Sequence, residues 1–382
     1  MGTNRYRDRR RLQRGAQVIS VAVNLAWLVP GDVGGREEYT TRLLASVVRS
    51  EPADLALEIV ASKRLQQSYP WMAALPFAPL AGPLSNRGFR ILTESTQVHR
   101  VTRTADVVHH FGGRLPAVRN PRAILTIHDL QPLDMPANFS RAKRQYLRWA
   151  VQRSATAASL ICTPSRWVAE SIVERLGVSP DKVRPVSSTW DPALPVHGNP
   201  VEIAELGDGP VVLYPAATHP HKNHLTLLQA VDRLADRHRD LTLVLTGGEG
   251  RAEAGVASRV TRARVRVRRL GRVTPSLLSA LIQRADVLAF PSRYEGFGLP
   301  LLEAMHAGTP VIAGDNSAMP EVVADAGLLL QADDPGTWAD AIDEIVTNGT
   351  LASRLSAAGQ ARSEYYAPAP AAARLVDAWR SL

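Results

Sequence analysis

Residues 287–320 read VLAFPSRYEGFGLPLLEAMHAGTPVIAGDNSAMP, and this stretch decides the fold class. The apolar run 287–290 predicts a short buried strand. A loop with two glycines follows, and Pro300 then suits the first turn of a helix, where its missing N–H would have no partner. The apolar run 310–313 predicts the next strand. A strand, a covering helix and a further strand are typical of a parallel sheet, because parallel neighbours need a crossover connection.

The same alternation extends along the chain on both sides of this stretch. Apolar, β-rich runs occupy residues 18–26, 107–111, 123–127, 160–163 and 183–186 in the first half and residues 211–214, 241–246 and 265–270 in the second. Apolar residues at helical spacing mark 223–237, 335–346 and 370–382. The helix 223–237 is expected to pack Leu225, Leu228 and Val231 against its sheet. The pattern predicts an α/β protein with parallel sheets.

The length of the chain predicts two domains. One hydrophobic core rarely extends beyond roughly 250–300 residues, and the chain has 382. The stretch 187–210 holds four prolines and three glycines, which is typical of a connection between domains. We therefore assign residues 1–195 to an N-terminal domain, 196–210 to a linker, 211–365 to a C-terminal domain and 366–382 to a terminal helix that can pack back on the first domain.

The composition excludes several classes of protein. Hydrophobic residues make up 45% and charged residues 21%, which is the balance of a globular protein. Cys162 is the only cysteine, so an internal disulfide is excluded and a reducing, cytoplasmic compartment is expected. The apolar run 18–30 follows an arginine-rich segment, but it contains Asn24 and lacks a cleavage site, so it predicts a strand and not a signal peptide. No stretch reaches the ~18 apolar residues of a membrane-spanning helix.

The net charge of +9 is unevenly distributed. A basic arm, residues 1–15, precedes the first strand, and a second cluster lies within 259–272. A third cationic segment contains Tyr146 and Trp149 together with Arg141, Lys143, Arg144, Arg148 and Arg153. A solvated surface is the simpler interpretation; the functional one is attraction to anionic lipid head groups or to an anionic lipid-linked acceptor. Nucleic acid is disfavoured, because 259–272 holds no aromatic residue for base stacking and the arm holds only Tyr6.

The loop before the predicted helix at 299–307 has the features of a phosphate site. Backbone N–H groups and the positive end of the helix dipole favour a diphosphate there, which points to Gly296, Phe297, Gly298 and Leu299. Glu295 and Glu303 are eight residues apart, so they can reach opposite ends of a bound nucleotide sugar. Each carboxylate would accept hydrogen bonds from sugar hydroxyls.

Glu295 and Glu303 resemble the Glu-x7-Glu signature of family 4 of the retaining glycosyltransferases. The segments 308–313, 317–322 and 325–329 stand where that family's pattern places them, and 214–224 is similar to its strand, loop and helix with a phosphate-binding lysine. The resemblance implies the GT-B fold, in which two Rossmann-like domains face a central cleft. It covers most of residues 211–332 but only short islands of the first half.

The resemblance also assigns roles to individual residues. It implies catalytic roles for His128, Lys222 and Glu295, and donor-binding roles for Gly34, Gly35, Gly248, Arg251, Gly296, Phe297, Gly298, Leu299 and Glu303. Relatives often carry an arginine near the lysine, and here Arg251 or Arg272 is the candidate replacement. Each residue also has a structural interpretation, as a cap, a tight turn or a surface charge. The histidines around Lys222 predict no metal site, because no carboxylate or cysteine accompanies them.

As a function, the resemblance implies transfer of a hexose with retention of anomeric configuration and without a metal or other cofactor. GDP-mannose is the favoured donor, with UDP- and dTDP-sugars as alternatives, and the acceptor is a glycan or a lipid-linked molecule. The expected location is the cytoplasm, with peripheral attachment to the inner face of the membrane. Two alternatives remain: a nucleotide-sugar epimerase of the same fold, and a non-catalytic sugar-binding protein.

Overall fold

The computed structural model describes residues 18–31, 34–190 and 201–382. The basic arm 1–15 and residues 196–200 of the predicted linker lie outside the described residues. The chain divides into two compact units, one made of Met1–Ser188 with Ala369–Leu382 and the other of Thr189–Pro368. The terminal helix therefore belongs to the first unit, whereas the segment before it belongs to the second.

The described part of the first unit contains a seven-stranded parallel sheet in the order β3-β2-β1-β4-β5-β6-β7. Its strands are β1 Ile19–Asn24, β2 Leu55–Ser62, β3 Phe77–Leu80, β4 Val107–His110, β5 Ala123–Thr126, β6 Leu160–Thr163 and β7 Val183–Pro185. The strands β4, β5 and β6 are buried along their whole length, which is expected where helices cover both faces of a parallel sheet.

Helices cover this sheet. They are α1 Gly35–Ser50, α2 Lys63–Ser68, α3 Arg87–Thr93, α4 His99–Thr102, α5 Gln131–Asp134, α6 Arg141–Ala157, α7 Arg166–Leu176 and the terminal helix α16 Pro368–Arg380, with short turns at Pro70–Ala74, Glu94–Val98, Pro136–Asn138 and Pro180–Lys182. The terminal helix buries Leu375 and Trp379 in the core of the first unit. The indole N–H of Trp379 donates to His109 Nδ1 over 3.0 Å, which satisfies a polar group inside that core.

In the second unit, the described residues form a six-stranded parallel sheet in the order β10-β9-β8-β11-β12-β13. Its strands are β8 Val211–Pro215, β9 Thr242–Thr246, β10 Arg266–Gly271, β11 Val287–Phe290, β12 Val311–Gly314 and β13 Leu328–Leu330. Its helices are α8 Val201–Ala204, α9 His224–Arg233, α10 Glu253–Val260, α11 Pro275–Arg284, α12 Leu299–Ala307, α13 Met319–Val323, α14 Pro335–Thr347 and α15 Gly349–Ser363, with turns at Pro220–Lys222 and Glu364–Tyr366.

The parallel α/β architecture predicted from the sequence is confirmed, and each predicted strand is present with ends shifted by at most two residues. The strands β2, β3 and β13 were not predicted. Two of them, β3 and β13, are edge strands that are short and only partly buried, so their apolar signal is weak. The helical face predicted for α9 was wrong at Leu225, which is 42% exposed, while Leu227 is buried.

The arginines of segment 259–272 are largely paired within the second unit. Two of the ion-pair partners lie in helices and two lie just after a helix: Arg259 pairs with Asp232, Arg264 with Asp236, Arg268 with Glu205 and Arg269 with Glu253. The positive charge of this segment is therefore offset locally. This arrangement favours the interpretation of a structural, solvated edge.

The position after β9 requires glycine, both for its backbone conformation and because there is no room for a side chain. Gly247 adopts φ +122°, and a Cβ there would lie 2.5 Å from the carbonyl carbon and oxygen of Ala216. Its N–H donates to the carbonyl oxygen of Gly271 over 2.7 Å. A side chain would therefore strain the backbone and displace a neighbouring main chain.

We expect Gly247→Ala to lower the free energy of unfolding of the second unit by roughly 2–4 kcal/mol. The matched control is Gly255→Ala in α10, because nothing lies within 4 Å of a Cβ at Gly255. A helical glycine to alanine change of this kind should be neutral or stabilise by up to about 1 kcal/mol. Urea unfolding of both variants checks this, and equal midpoints would contradict it.

Candidate active site

The loop between β11 and α12 presents backbone N–H groups at the start of a helix. Gly298 precedes the helix with φ +100°, and a Cβ there would approach the Leu301 side chain to 3.0 Å. The Phe297 ring is buried and packs edge-on against Tyr366 with centroids 5.4 Å apart. Only the backbone of Phe297 is therefore suited to contact a ligand. Leu299 is also buried and begins the helix.

Lys222 and Glu295 form an ion pair on the second unit. Lys222 Nζ lies 2.5 Å from Glu295 Oε1, and the exposed fractions of the two side chains are 18% and 13%. The Ser292 hydroxyl donates to the same carboxylate oxygen over 2.6 Å, and the Glu295 N–H donates to Ser317 Oγ over 2.9 Å. Two residues predicted from separate motifs are therefore in direct contact.

Lys222 and Glu295 are in contact because they follow two neighbouring strands. The turn Pro220–Lys222 follows β8 and the loop with Glu295 follows β11, and β8 and β11 are adjacent in the sheet. The Arg293 N–H donates to the carbonyl oxygen of His221 over 2.7 Å, which ties the loop to the turn. The Tyr214 hydroxyl donates to the Lys222 carbonyl oxygen over 2.5 Å. The position of the lysine is thus fixed by backbone contacts.

Glu303 lies in the second turn of α12 and is half-buried. It belongs to the same helix that begins at the glycine loop. The helix therefore begins between the two glutamates of the motif: Glu295 precedes it and Glu303 lies within it.

A cavity of about 530 Å³ lies at the carboxyl ends of β8, β9 and β10. Among its lining residues are Thr218, His224, Gly248, Glu249, Arg269 and Arg272. Arg272 Nε lies 2.8 Å from the point where a Cβ of Gly248 would stand, so the guanidinium lies across that glycine. Carboxyl ends of parallel strands are where α/β sheets bind ligands.

The two candidate replacement arginines are in different places. Arg272 lines the cavity. Arg251 is close to His219, where burial, Lys222 and Arg251 together lower the pKa of the imidazole. Thr218 and Ser292 lie inside the motif segments and Arg269 inside the basic cluster, but the sequence analysis gave none of them a role. Their partners are brought to them by the fold, which a local pattern does not show.

In the first unit, His128 follows β5 and is buried. Its Nε2–H donates to the Phe111 carbonyl oxygen over 3.0 Å, and its ring lies edge-on to Tyr39 at 5.0 Å. Burial lowers the pKa of His128 to about 3, so the imidazole is neutral at pH 7. The adjacent Asp129 forms an ion pair with Arg36 of α1 over 2.7 Å.

Gly34 and Gly35 stand at the start of α1. Gly34 adopts φ +64°, and open space surrounds the Cβ positions of both glycines. The carboxylate of Glu37 accepts from the Gly31 N–H over 3.0 Å and from the Tyr69 hydroxyl over 2.6 Å, which holds this loop. Glu37 and Tyr69 were not predicted. A glutamate in the first turn of a helix after a glycine pair is the signal that would have identified Glu37.

No group of three histidine, cysteine, aspartate or glutamate side chains suited to hold a metal ion occurs in residues 18–31, 34–190 and 201–382. Within the same ranges, none of the helices combines the length and apolarity needed to cross a bilayer.

Comparison with known proteins gives consistent matches. The family described as "Glycosyl transferases group 1" matches residues 199–362, and "Glycosyltransferase Family 4" matches residues 33–193. O-antigen chain mannosyltransferase B of Escherichia coli is 28% identical over 308 residues, covering 78% of this chain and 81% of that protein. A D-inositol 3-phosphate glycosyltransferase of Xylanimonas cellulosilytica is 27% identical, covering 96% and 97% respectively.

Among solved structures, HepE of Anabaena in complex with UDP and glucose is similar, with a TM-score of 0.73 at 18% identity over 95% of this chain and 100% of that one. At this identity the likeness shows the fold alone. It agrees with the fold that the resemblance around Glu295 implies.

Proposed function

The chain belongs to family 4 of the glycosyltransferases, with the GT-B fold, and from this membership we propose that it transfers a hexose from a nucleotide sugar to a glycan or lipid-linked acceptor, with retention of anomeric configuration. GDP-mannose is the favoured donor. A mannosyltransferase relative supports the sugar. Because another relative is an inositol phosphate glycosyltransferase, other donors and acceptors remain alternatives.

The contact between Lys222 and Glu295, beside the start of α12, carries this proposal. As the glycosidic bond breaks, negative charge grows on the diphosphate. A lysine and a helix N-terminus in place beforehand stabilise that charge without reorganisation. Glu295 would then accept hydrogen bonds from hydroxyls of the hexose and Glu303 from the ribose.

The neutral state of His128 limits the role proposed for it. An imidazole with a pKa of about 3 is not a general acid at pH 7. Its Nε2–H is committed to the Phe111 carbonyl oxygen, so Nδ1 is the acceptor atom of the ring. We assign His128 to positioning of a hydroxyl group, and we assign removal of the acceptor's proton to the departing phosphate.

Three substitutions should give separable kinetic results. Lys222→Ala should lower kcat by about 100-fold or more with a smaller loss of donor affinity, because the lysine acts on charge that develops in the transition state. Glu303→Ala should chiefly raise the donor KM, because ribose contacts do not change during the reaction. His128→Ala should lower turnover and leave binding of the free nucleoside diphosphate intact.

Steady-state kinetics and calorimetry on folded variants provide the measurement. Donor incubated without an acceptor is the control for the two alternative functions: an epimerase would change the sugar, and a non-catalytic protein would never turn the donor over. Unchanged donor affinity in Glu303→Ala, or lost nucleotide binding in His128→Ala, would show that the residue roles are wrong.

We further propose that transfer needs no metal ion, because Lys222 and the start of α12 supply the positive charge that a cation would provide. Dialysis against EDTA should leave kcat unchanged within about twofold. A loss of activity that manganese restores, and that the buffer alone does not cause, would contradict the proposal.

We propose attachment to anionic membranes through α6 and the basic arm 1–15, the latter lying outside the described residues. Five of the 17 residues of α6 are Lys or Arg and none is Asp or Glu. Its Trp149 is 61% exposed. Arg87 of α3 lies over the Tyr146 ring at 4.8 Å, and Arg153 over Trp149 at 5.7 Å, so cations and aromatic rings share one surface.

Reversal of two charges on this surface, Lys143→Glu with Arg148→Glu, should reduce sedimentation with phosphatidylglycerol vesicles by at least about tenfold, at roughly 1 kcal/mol per charge. The matched control is Arg262→Glu with Arg266→Glu, an equal charge reversal on the second unit. Binding of the wild type should weaken with salt. Equal losses in the two double variants, or equal binding to neutral vesicles, would contradict the proposal.

A further inference from the structure

We propose that Arg362 and Tyr366 are positioning residues, which hold the loop 295–298 in place through the short helix α13. The inference rests on the proposed function, because it assumes that this loop binds the donor. It goes beyond that function by assigning the geometry of the loop to two side chains that lie far along the chain and touch no donor group themselves.

The start of α13 is bound to both polar groups of the Glu295 main chain. The Glu295 N–H donates to Ser317 Oγ over 2.9 Å, and the Ala318 N–H donates to the Glu295 carbonyl oxygen over 3.3 Å. Met319 reaches the same loop, because its Cγ lies 3.9 Å from the position of a Cβ on Gly298. A displacement of α13 would therefore move the residues that the loop presents to a ligand.

The helix α13 is too short to hold itself in place. It consists of the five residues Met319–Val323, and so short a helix satisfies few of its own hydrogen bonds. The residues at its two ends are strained: Ser317 has φ +52°, and Ala324 has φ +51° with ψ −125°. Residues with a Cβ rarely adopt such angles, and they keep them only where surrounding contacts enforce them. The helix therefore depends on contacts from outside its own segment.

Arg362 of α15 supplies such contacts at the end of α13. Its Nε–H donates to the Val322 carbonyl oxygen over 3.1 Å, and its Nη2–H donates to the Glu321 carbonyl oxygen over 2.6 Å. Carbonyl groups in the last turn of a helix have no partner within that helix, and a positive charge beside them is favourable. The guanidinium therefore caps α13 from a different helix.

Tyr366 joins this cap to the loop. Its hydroxyl accepts from Arg362 Nη2 over 3.1 Å and donates to the Glu321 carbonyl oxygen over 3.2 Å. Burial raises the pKa of Tyr366 to about 12, so the hydroxyl keeps its proton at pH 7. Its ring packs edge-on against the buried Phe297 ring, with centroids 5.4 Å apart. One side chain thus contacts both α13 and the glycine loop.

The loop carries groups that are assigned to the transition state of transfer. Glu295 pairs with Lys222 over 2.5 Å, and the N–H groups of 296–298 precede α12. Such groups are effective when they are held in place before the reaction. A misplacement on the order of 1 Å can cost about 100-fold in rate. Loosening the loop should therefore lower turnover more than nucleotide binding, because the contacts made through Glu303 are left in place.

The first measurement is hydrogen exchange, followed by mass spectrometry, on the full chain without ligand. In Arg362→Met, the amides of 293–299 and 317–324 should exchange at least about fivefold faster than in the wild type, because the cap of α13 is lost. Tyr366→Phe keeps the ring and loses the hydroxyl, so a smaller increase in the same segments is expected. The matched control is Arg354→Met, an exposed arginine of the same helix, which should leave both segments unchanged.

The second measurement is kinetic, at a temperature where every variant is folded. For release of GDP from GDP-mannose, Arg362→Met should lower kcat at least about tenfold, and calorimetry should show a GDP Kd within about threefold of the wild type. Ser317→Ala should also lower kcat. The double variant should lose less than the product of the two single losses, because both residues act through α13. A merely stabilising role would lower the unfolding midpoint and leave kcat of the folded enzyme unchanged.

The results separate this inference from the proposed function. Unchanged exchange of 293–299 in folded Arg362→Met would overturn the inference, whatever the activity. Faster exchange with an unchanged kcat, or single losses that multiply in the double variant, would overturn it as well. If Arg362→Met does not fold, Tyr366→Phe must show both the faster exchange and a lower kcat. Absence of turnover by the wild type with GDP-mannose, UDP-glucose and dTDP-glucose would instead contradict the proposed function, and the exchange of 293–299 would still report whether Arg362 holds the loop.

Discussion

The ion pair between Lys222 and Glu295 is the contact on which the site of the second unit depends. Each side chain is largely shielded from water, so either charge alone would pay a desolvation cost without compensation. The pair holds the turn after β8 against the loop after β11. Ser292 of the same loop donates to the carboxylate, and Ser317, which follows β12, accepts from the Glu295 N–H. The pair therefore sets the distance between the lysine and the start of α12.

Both units have a glycine loop before a helix, but the charged side chain beside the loop is a glutamate in the first unit and a lysine in the second. In each, a glycine with positive φ precedes a helix that follows a strand, Gly34 before α1 and Gly298 before α12. In the first unit, the carboxylate of Glu37 already accepts from the Gly31 N–H of the loop. In the second unit, a lysine stands beside the loop. An anionic ligand is repelled by a nearby carboxylate and attracted by a lysine, which supports placing the nucleotide on the second unit.

Basic residues in this chain have different roles in different places. The arginines of 259–272 mostly pair with carboxylates of the second unit, so they stabilise local structure and contribute little net field. The cations of α6 lie on a helix without an acidic residue and beside the exposed ring of Trp149. From composition alone, both 259–272 and α6 are positively charged. Whether an arginine can attract an anionic membrane depends on whether a carboxylate of the protein already pairs with it.

The sequence by itself determined the α/β class, the parallel sheets and the strand, loop and helix around Glu295, because hydrophobic period and glycine or proline position act over a few residues. It also singled out Lys222, Glu303 and His128, whose motifs are local. It did not reveal the edge strands β3 and β13, whose burial is incomplete, or the exposed face of Leu225. The tertiary structure decided that Lys222 touches Glu295, that His128 is neutral, and that Arg272 lies over Gly248 while Arg269 pairs with Glu253. Most of these relations join residues far apart in the chain, and the contact of Lys222 with Glu295 exists because adjacent parallel strands bring their carboxyl ends to one edge of a sheet.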